Sequence, residues 1–360
     1  NDIPIIKKAK EKKIRIIGEI DFSSWFSKIP IIGVTGSNGK TTTVNLIANI
    51  FRKSKLNILL GGNIGTPFAK NVFLEISNPK KYDFHILELS SFQLENIKSL
   101  KLKVGAILNV SEDHLDRYEN FSEYINTKLN IIDTLNNDSA FVFNRKDAFL
   151  SNRILDRKKS RLFSSLPFSY EDIDNTDIEI DTINLVGKHN YENIMAAYTI
   201  SKFFNIKSNV INDSIKEFEP IPHRLEYVGK IKGAFAYNDS KATNIGSMIA
   251  AIDSFNENII LVLGGIDKSE TNFYEHIKNF KSKIKFVSCY GESGELIFNQ
   301  IKNIVKSNYN FSFSESVTDA INSVKNNDIL LLSPACASFD QFSDYRSRGD
   351  KFKKIIKSTL

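Results

Sequence analysis

Residues 31–43 read IIGVTGSNGKTTT, an apolar run that passes through Gly36 and Gly39 into Lys40 and Thr41. Glycines let backbone N–H groups close around phosphate oxygens, and a helix starting there points its positive end at the same anion. A lysine at position 40 reaches β/γ-phosphates, and the hydroxyl of a threonine at 41 takes a place on Mg²⁺. These residue types in this order imply binding of a nucleoside triphosphate. The strict pattern G-x-x-x-x-G-K-[ST] fails, because Val34 stands where its first glycine belongs.

Further candidates follow on later apolar runs. FHILELSS ends in Glu88, and an acid at the end of a strand downstream of a phosphate loop is a Mg²⁺ ligand in waiting. SEDHLDRY crowds Glu112, Asp113, His114 and Asp116, a set that suits a hard cation with oxygen ligands better than zinc. Lys128, on a helical stretch, reads as a surface lysine from physics alone. Towards the C-terminus AYNDSKATN carries Asp239, Lys241 and Thr243, LVLGGIDKS carries Lys268, and LLLSPACASFDQF carries Ser333 and Ser338. Hydroxyl and cationic groups at three strand ends imply a pocket for a small polyanion.

The elements that must position these groups alternate in type. From residue 30, strand-length apolar runs (IPIIGVTG, NILLGGNIG, DFHILELSS, VGAILNVSEDH) alternate with amphipathic helical stretches, which implies parallel α/β layers with ligands beyond the strands' carboxyl ends. Residues 140–185 are patchier and read as short strands and turns, before a helix over NYENIMAAYTISKFF. The prolines of EFEPIPHRLEY mark a boundary near residue 221, after which strands AFAYNDS, NIILVLGG, KFVSCYGE and DILLLSPACAS begin a second doubly wound unit. Residues 1–29, with one basic helical segment and a short strand IRIIG, are too few for a domain.

With 360 residues, 41% of them hydrophobic, the chain can bury two cores. No run approaches the roughly 18 apolar residues of a membrane span, and the first residues lack the order of a secretory signal, so a cytoplasmic protein is expected with no membrane partner. Cys289 and Cys336 have neither metal spacing nor a disulfide framework and read as small core residues. The net charge of +6 is spread along the chain without a basic block interleaved with aromatics, which argues against nucleic acid and for anionic small molecules.

TGSNGKTT, GGNIG, ELSSFQLE, NVSEDHLDRY, GKHNYEN, IPHRLE, NDSKATN, GGIDK and SPACASFDQF occur in this order. Together they resemble the Mur ligases, and most closely those that add D-glutamate to UDP-N-acetylmuramoyl-L-alanine in peptidoglycan precursor synthesis. The family's phosphate loop has the shorter form T-G-x-N-G-K-[ST], which accounts for Val34. The resemblance implies a central P-loop ATPase-type domain with a mainly parallel sheet (30–221) and a C-terminal Rossmann-like α/β domain that binds an amino acid (222–360). It implies that Gly36, Ser37, Asn38, Gly39, Lys40, Thr41 and Thr42 hold ATP phosphates, that Asn190 and Asn193 lie near the adenine, and that Arg224 and Asp239 contact the nucleotide from the last domain. Thr41 and Glu88 would share one Mg²⁺. His114 would hold a second with Lys128, which in this family is carbamylated by CO₂ and so becomes an anion.

Asn63 matches a position facing the muramoyl substrate, while Thr243, Lys268 and Ser338, with Lys241, match the D-glutamate pocket, whose hydroxyls and ammonium groups offset a dicarboxylate. The aromatic contact there falls to Tyr345 or Phe342. Lys40, His114 and Lys128 are the implied catalytic groups, and a monomer is expected. The resemblance enters just after the S-P-G loop of an N-terminal UDP-binding domain, so residues 1–29 are expected to be that domain's last helix, strand and linker, and the sequence a fragment. The implied reaction makes an acyl phosphate from the L-alanine carboxylate and ATP, which the D-glutamate amine then attacks. Another Mur-type or folylpolyglutamate-type ligase, and a truncated ATP-binding module without turnover, are the alternatives.

Overall fold

The computed structural model describes residues 3–111, 117–150, 153–154, 163–268 and 270–359. Glu112, Asp113, His114 and Asp116 lie outside the described residues. The chain divides into two compact units, and the division between them falls between Phe218 and Glu219. Arg117 and Asn184–His189 group with the second unit.

In the first unit, strands β1 (Ile31–Thr35), β2 (Ile58–Gly62), β3 (Phe84–Glu88), β4 (Val104–Ile107), β5 (Ala140–Asn144) and β6 (Ser164–Phe168) form one sheet. Their spatial order is β2-β3-β1-β4-β5-β6, and every ladder is parallel. Strands covered on both faces must be apolar throughout, and β1 is buried at all of its positions. The register sets Val34 against Glu88 and Thr35 against Ile107, so the loop after β1 emerges between the ends of β3 and β4.

The helix Lys40–Lys53 that follows buries Val44, Ile47, Ile50 and Phe51 at helical spacing. Phe51 packs edge-on against Phe84 (5.2 Å between centroids) and Phe204 (5.5 Å), and a fully buried side chain of this size contributes roughly 1.5–3 kcal/mol. Arg52 and Lys53 in its last turn complement the helix dipole.

Two readings change here. The patchy stretch 140–185 supplies β5 and β6, two further parallel strands, whereas IEIDTINLV contains only a 3₁₀ turn at Ile180–Thr182. IRIIG pairs with no strand among the described residues. It leads into the helix Glu19–Ser24, which is pinned by Asp21: one carboxylate oxygen accepts the N–H groups of Lys98, Ser99 and Leu100 at 3.0, 2.7 and 3.0 Å.

The second unit carries β7 (Glu226–Ile231), β8 (Ala234–Asn238), β9 (Ile259–Gly264), β10 (Ile284–Tyr290), β11 (Ser307–Asn310) and β12 (Ile329–Ala335) in the order β11-β10-β9-β12-β8-β7. All ladders are parallel except β7 against β8. Neither β7 nor β11 was legible in the apolar pattern, because both are edge strands with half their surface open and β11 is SNYN. The adjacent strands β9, β12 and β8 end side by side, and their loops carry Lys268, Ser338 and Lys241 with Thr243. Among the described residues no helix is long and apolar enough to cross a membrane.

Candidate active site

In the first unit the phosphate-type loop is fixed from below by β4's extension. Ser37 N–H donates to Asn109 O (3.0 Å), Asn38 N–H to Asn109 Oδ1 (2.9 Å), and Asn109 Nδ2 back to Asn38 O (3.2 Å). Ser37 Oγ donates to Ser111 O and meets the Tyr124 hydroxyl at 3.1 Å. Gly39 ends the loop with φ +82°, and a side chain there would collide with Asn193 Oδ1. Only glycine satisfies both demands.

Asn190 and Asn193, one turn apart on the helix Lys188–Phe203, are buried and bonded to each other (3.3 Å), and Asn193 Oδ1 accepts from Thr43 Oγ1 (3.3 Å). They brace the start of the helix that follows the loop. Thr42 is buried in that helix's first turn.

Lys40 Nζ donates to Gly36 O (2.7 Å) and Ser37 O (2.8 Å). Lys128 Nζ reaches the same Gly36 O at 2.9 Å and lies 4.5 Å over the Tyr124 ring, although Lys128 is 1% exposed. The lysine that physics alone reads as a surface residue is therefore interior, and two ammonium groups converge on one carbonyl. Thr41 Oγ1 donates to Glu88 Oε2 (2.7 Å), and Asn63 Nδ2 to Glu88 Oε1 (2.9 Å). A hydroxyl and a buried carboxylate in contact are a donor set for a hard cation. Mg²⁺ is held by one or two carboxylates plus phosphate oxygens and water, so a full cage of acids is not required. Asn63 sits on Glu88 as its orienting partner. His114 lies outside the described residues.

The second unit holds a cavity of about 370 Å³ beyond the ends of β8, β9 and β12. Lys241, Thr243, Lys268 and Ser338 line it, as do Tyr345 and His276. Lys241 Nζ lies 4.4 Å over the Tyr345 ring and Lys268 Nζ 5.4 Å over Phe339. Phe342 does not line it. Its ring packs edge-on to Phe313 at 5.0 Å in a core cluster with Tyr290, Leu330 and Phe352, so of the two aromatic candidates Tyr345 faces the cavity. His276, one turn into the helix Phe273–Lys278, carried no sequence signal beyond following Lys268.

Beside the cavity, Asp239 accepts from Ser333 Oγ (3.0 Å) and from Leu225 N–H (3.3 Å). Burial pushes its carboxyl up to about 7, against these bonds and the charges of Arg224 and Arg348. Burial, with the charge of Arg224, draws His189 down to about 4, so it is neutral at physiological pH.

A phosphate-type loop with a hydroxyl–carboxylate pair in one α/β unit, and a lysine- and hydroxyl-lined cavity in a second, define an ATP-using ligase of two-unit design. Residues 34–201 match the Mur ligase middle domain and residues 223–336 the Mur ligase, glutamate ligase domain, and the chain belongs to the Mur ligase family, whose members are ATP-dependent ligases. It is 37% identical to the UDP-N-acetylmuramoylalanine–D-glutamate ligase of Christiangramia forsetii, over 99% of this chain and 82% of that one. Among solved structures it resembles MurF from Acinetobacter baumannii (TM-score 0.71, 16% identity, 94% of this chain and 78% of that one). It also resembles the MurF ligase of Thermotoga maritima in complex with ADP (TM-score 0.68, 15% identity, 100% and 86%).

Proposed function

We propose that this chain is an ATP-dependent ligase that joins D-glutamate to UDP-N-acetylmuramoyl-L-alanine in the cytoplasm, releasing ADP and phosphate. The observation that carries the reading is the cavity of the second unit. Lys241, Lys268 and hydroxyl residues line a space sized for a small amino acid, together with the acids Asp267, Glu270 and Asp344 that suit its ammonium group, in a chain 37% identical to a ligase named for D-glutamate. A dicarboxylate needs two sets of positive or donor groups, and Lys241 with Lys268, joined by Thr243 and Ser338, supply them.

In this reading the domains are 30–221 for ATP and 222–360 for the amino acid. The N–H groups of the Gly36–Gly39 loop and Lys40 hold the triphosphate, with Thr42, Asn190 and Asn193 as its braces and Arg224 and Asp239 as further nucleotide contacts. Thr41 and Glu88 would hold one Mg²⁺, and Lys128 with His114 a second. Carbamylation of Lys128 fits what surrounds it, since it replaces one of two like charges at Gly36 O by an anion. When bound there, Mg²⁺ would supply neutralisation of the phosphate charge.

The L-alanine carboxylate attacks the γ-phosphorus of ATP, the bond to the β-phosphate oxygen breaks, and ADP leaves. The D-glutamate amine then attacks the acyl carbon, loses a proton, and the C–O bond to phosphate breaks. No protein nucleophile takes part. Lys40 offsets charge on the transferred group, while Lys268 and Ser338 orient the amino acid.

The test is phosphate release with MgATP, UDP-N-acetylmuramoyl-L-alanine and a panel of D-glutamate, L-glutamate, L-alanine, a diamino acid and D-alanyl-D-alanine. Release dependent on D-glutamate alone is expected, and a preference for any other member overturns the assignment.

A further inference from the structure

Arg348 is the largest fully buried side chain in the molecule's described residues, at 0% exposure. It rises from the first turn of the helix Tyr345–Thr359 into the space beneath the cavity of the second unit. Nε donates to Ser240 Oγ (2.9 Å), Nη2 to Ser240 O (2.8 Å), and Nη1 to both Cys336 O (3.0 Å) and the Tyr290 hydroxyl (3.0 Å). All four acceptors are neutral oxygens. A guanidinium is costly to bury without a carboxylate hydrogen-bonded to it, and Asp239 acts on this one only through its charge, so what it organises must be worth that cost.

What it organises are the loops that line the cavity. Ser240 immediately precedes Lys241 and lies three residues before Thr243. Cys336 is two residues before Ser338. The third loop joins through backbone: Ile266 and Ala337 exchange N–H···O bonds at 2.9 Å each way, just ahead of Lys268. Gly265 lets that loop lie against the guanidinium, since a Cβ there would come within 3.3 Å of Arg348 Nη1 and collide with Ala337 O. The Ser240 hydroxyl, which accepts from Arg348, donates to Tyr345 O at 2.7 Å, so the fourth wall is tied to the same point.

We infer that Arg348 is the positioning residue of the amino-acid cavity, a single planar donor fan that fixes the spacing of the Lys241–Thr243, Lys268, Ser338 and Tyr345 walls. Lysine cannot replace it, because an ammonium group cannot span Ser240, Cys336 and Tyr290 in one plane. The inference rests on reading the cavity as the amino-acid site.

The experiment measures phosphate release by the full chain with D-glutamate and MgATP varied in turn, for the parent, Arg348→Lys and Ser240→Ala. Arg348→Lys should raise the D-glutamate KM by roughly tenfold or more and Ser240→Ala by about threefold, with the ATP KM within about twofold of the parent. A folded variant of either kind whose D-glutamate KM stays within about twofold of the parent overturns the inference, as does a parallel rise in both KM values. Should Arg348→Lys not fold, Ser240→Ala keeps the guanidinium in place and decides the matter alone. A parent whose phosphate release shows no dependence on D-glutamate, and which calorimetry shows not to bind D-glutamate, overturns the reading of the cavity itself, and the clamp with it, before any variant is made.

Discussion

The two candidate sites solve the problem of holding anions in opposite ways. In the first unit the groups that would meet phosphate come from one continuous stretch, residues 36–42, shaped by glycine backbone and braced by Asn109 and Asn193. In the second the lining comes from loops after three strands and the start of the last helix, and its donors are side chains. A backbone site is tolerant of what surrounds it but intolerant of any Cβ in the loop. A side-chain site has the reverse sensitivity: each residue contributes a separable part, and the spacing depends on what lies underneath.

The sharpest way to break this contrast is Lys40→Ala. Lys40 stands half-buried at the mouth of its loop, where its amine donates to the Gly36 and Ser37 carbonyls rather than filling a core, so the fold should survive its loss. ATP-dependent phosphate release should fall on the order of 10²–10³-fold, the usual consequence of removing one preorganised electrostatic group. Phosphate release equal to the parent's would sink the assignment of the loop.

In the second unit the loss should instead be graded and confined to one substrate. Lys268→Ala and Ser338→Ala are each expected to raise the D-glutamate KM by roughly ten- to a hundredfold, the effect of about 1.5–3 kcal/mol from a charge-assisted contact, with the ATP KM little changed. Steady-state kinetics with each substrate varied separately would show it. A matched rise in both constants would mean that the two units do not hold their substrates independently.

The same contrast explains what was legible in the sequence. The phosphate-type loop and Glu88 could be read because a local motif carries its own chemistry: Gly36, Gly39, Lys40 and Thr41 lie within six residues, and Glu88 closes an apolar strand. Lys241, Thr243, Lys268 and Ser338 were legible as strand-end residues, since parallel strands deliver such residues to one edge. Lys128 was not legible from physics, because nothing in YINTKL says which face of the helix is interior; only the resemblance singled it out. Arg348 left no signal at all, since an arginine near the C-terminus reads as a surface charge and its burial depends on three loops distant in sequence. Tyr345 and Phe342 lie three residues apart, and only the fold separates the one facing the cavity from the one packed on Phe313.

A smaller effect concerns stability. Asp239 has an ordinary carboxyl value of 3.8, and burial raises it to about 7 in the folded chain. Between these values the folded state keeps a proton that the unfolded state has released, so this group's contribution to stability falls as pH rises through that window and is smallest above it. The amide introduced by Asp239→Asn cannot ionise, yet it can still donate to Ser333 Oγ and accept from Leu225 N–H. Thermal melts of this variant against the parent should therefore show a Tm difference in the variant's favour that grows by roughly 5 °C between about pH 4.5 and 8. A difference that does not change with pH would show that the carboxyl does not titrate in this range.

The smallest effect expected sharpens the contrast at a single atom. Tyr345 offers the cavity a ring, over which Lys241 Nζ sits at 4.4 Å, and a hydroxyl, which accepts from Arg346 Nε at 3.3 Å on the exposed side. Tyr345→Phe keeps the ring and the Ser240 hydrogen bond, which is made to the backbone oxygen, and loses only the exposed hydroxyl. Exposed polar contacts of this kind contribute little, so the D-glutamate KM should stay within about threefold of the parent. Tyr345→Ala removes the face against which the ammonium of Lys241 rests, a contact of roughly 0.5–2 kcal/mol, and should exceed the Phe variant's effect. If Phe and Ala variants raise the D-glutamate KM equally, the hydroxyl is itself a substrate contact, and the wall that Arg348 holds through Ser240 has a polar edge rather than an aromatic one.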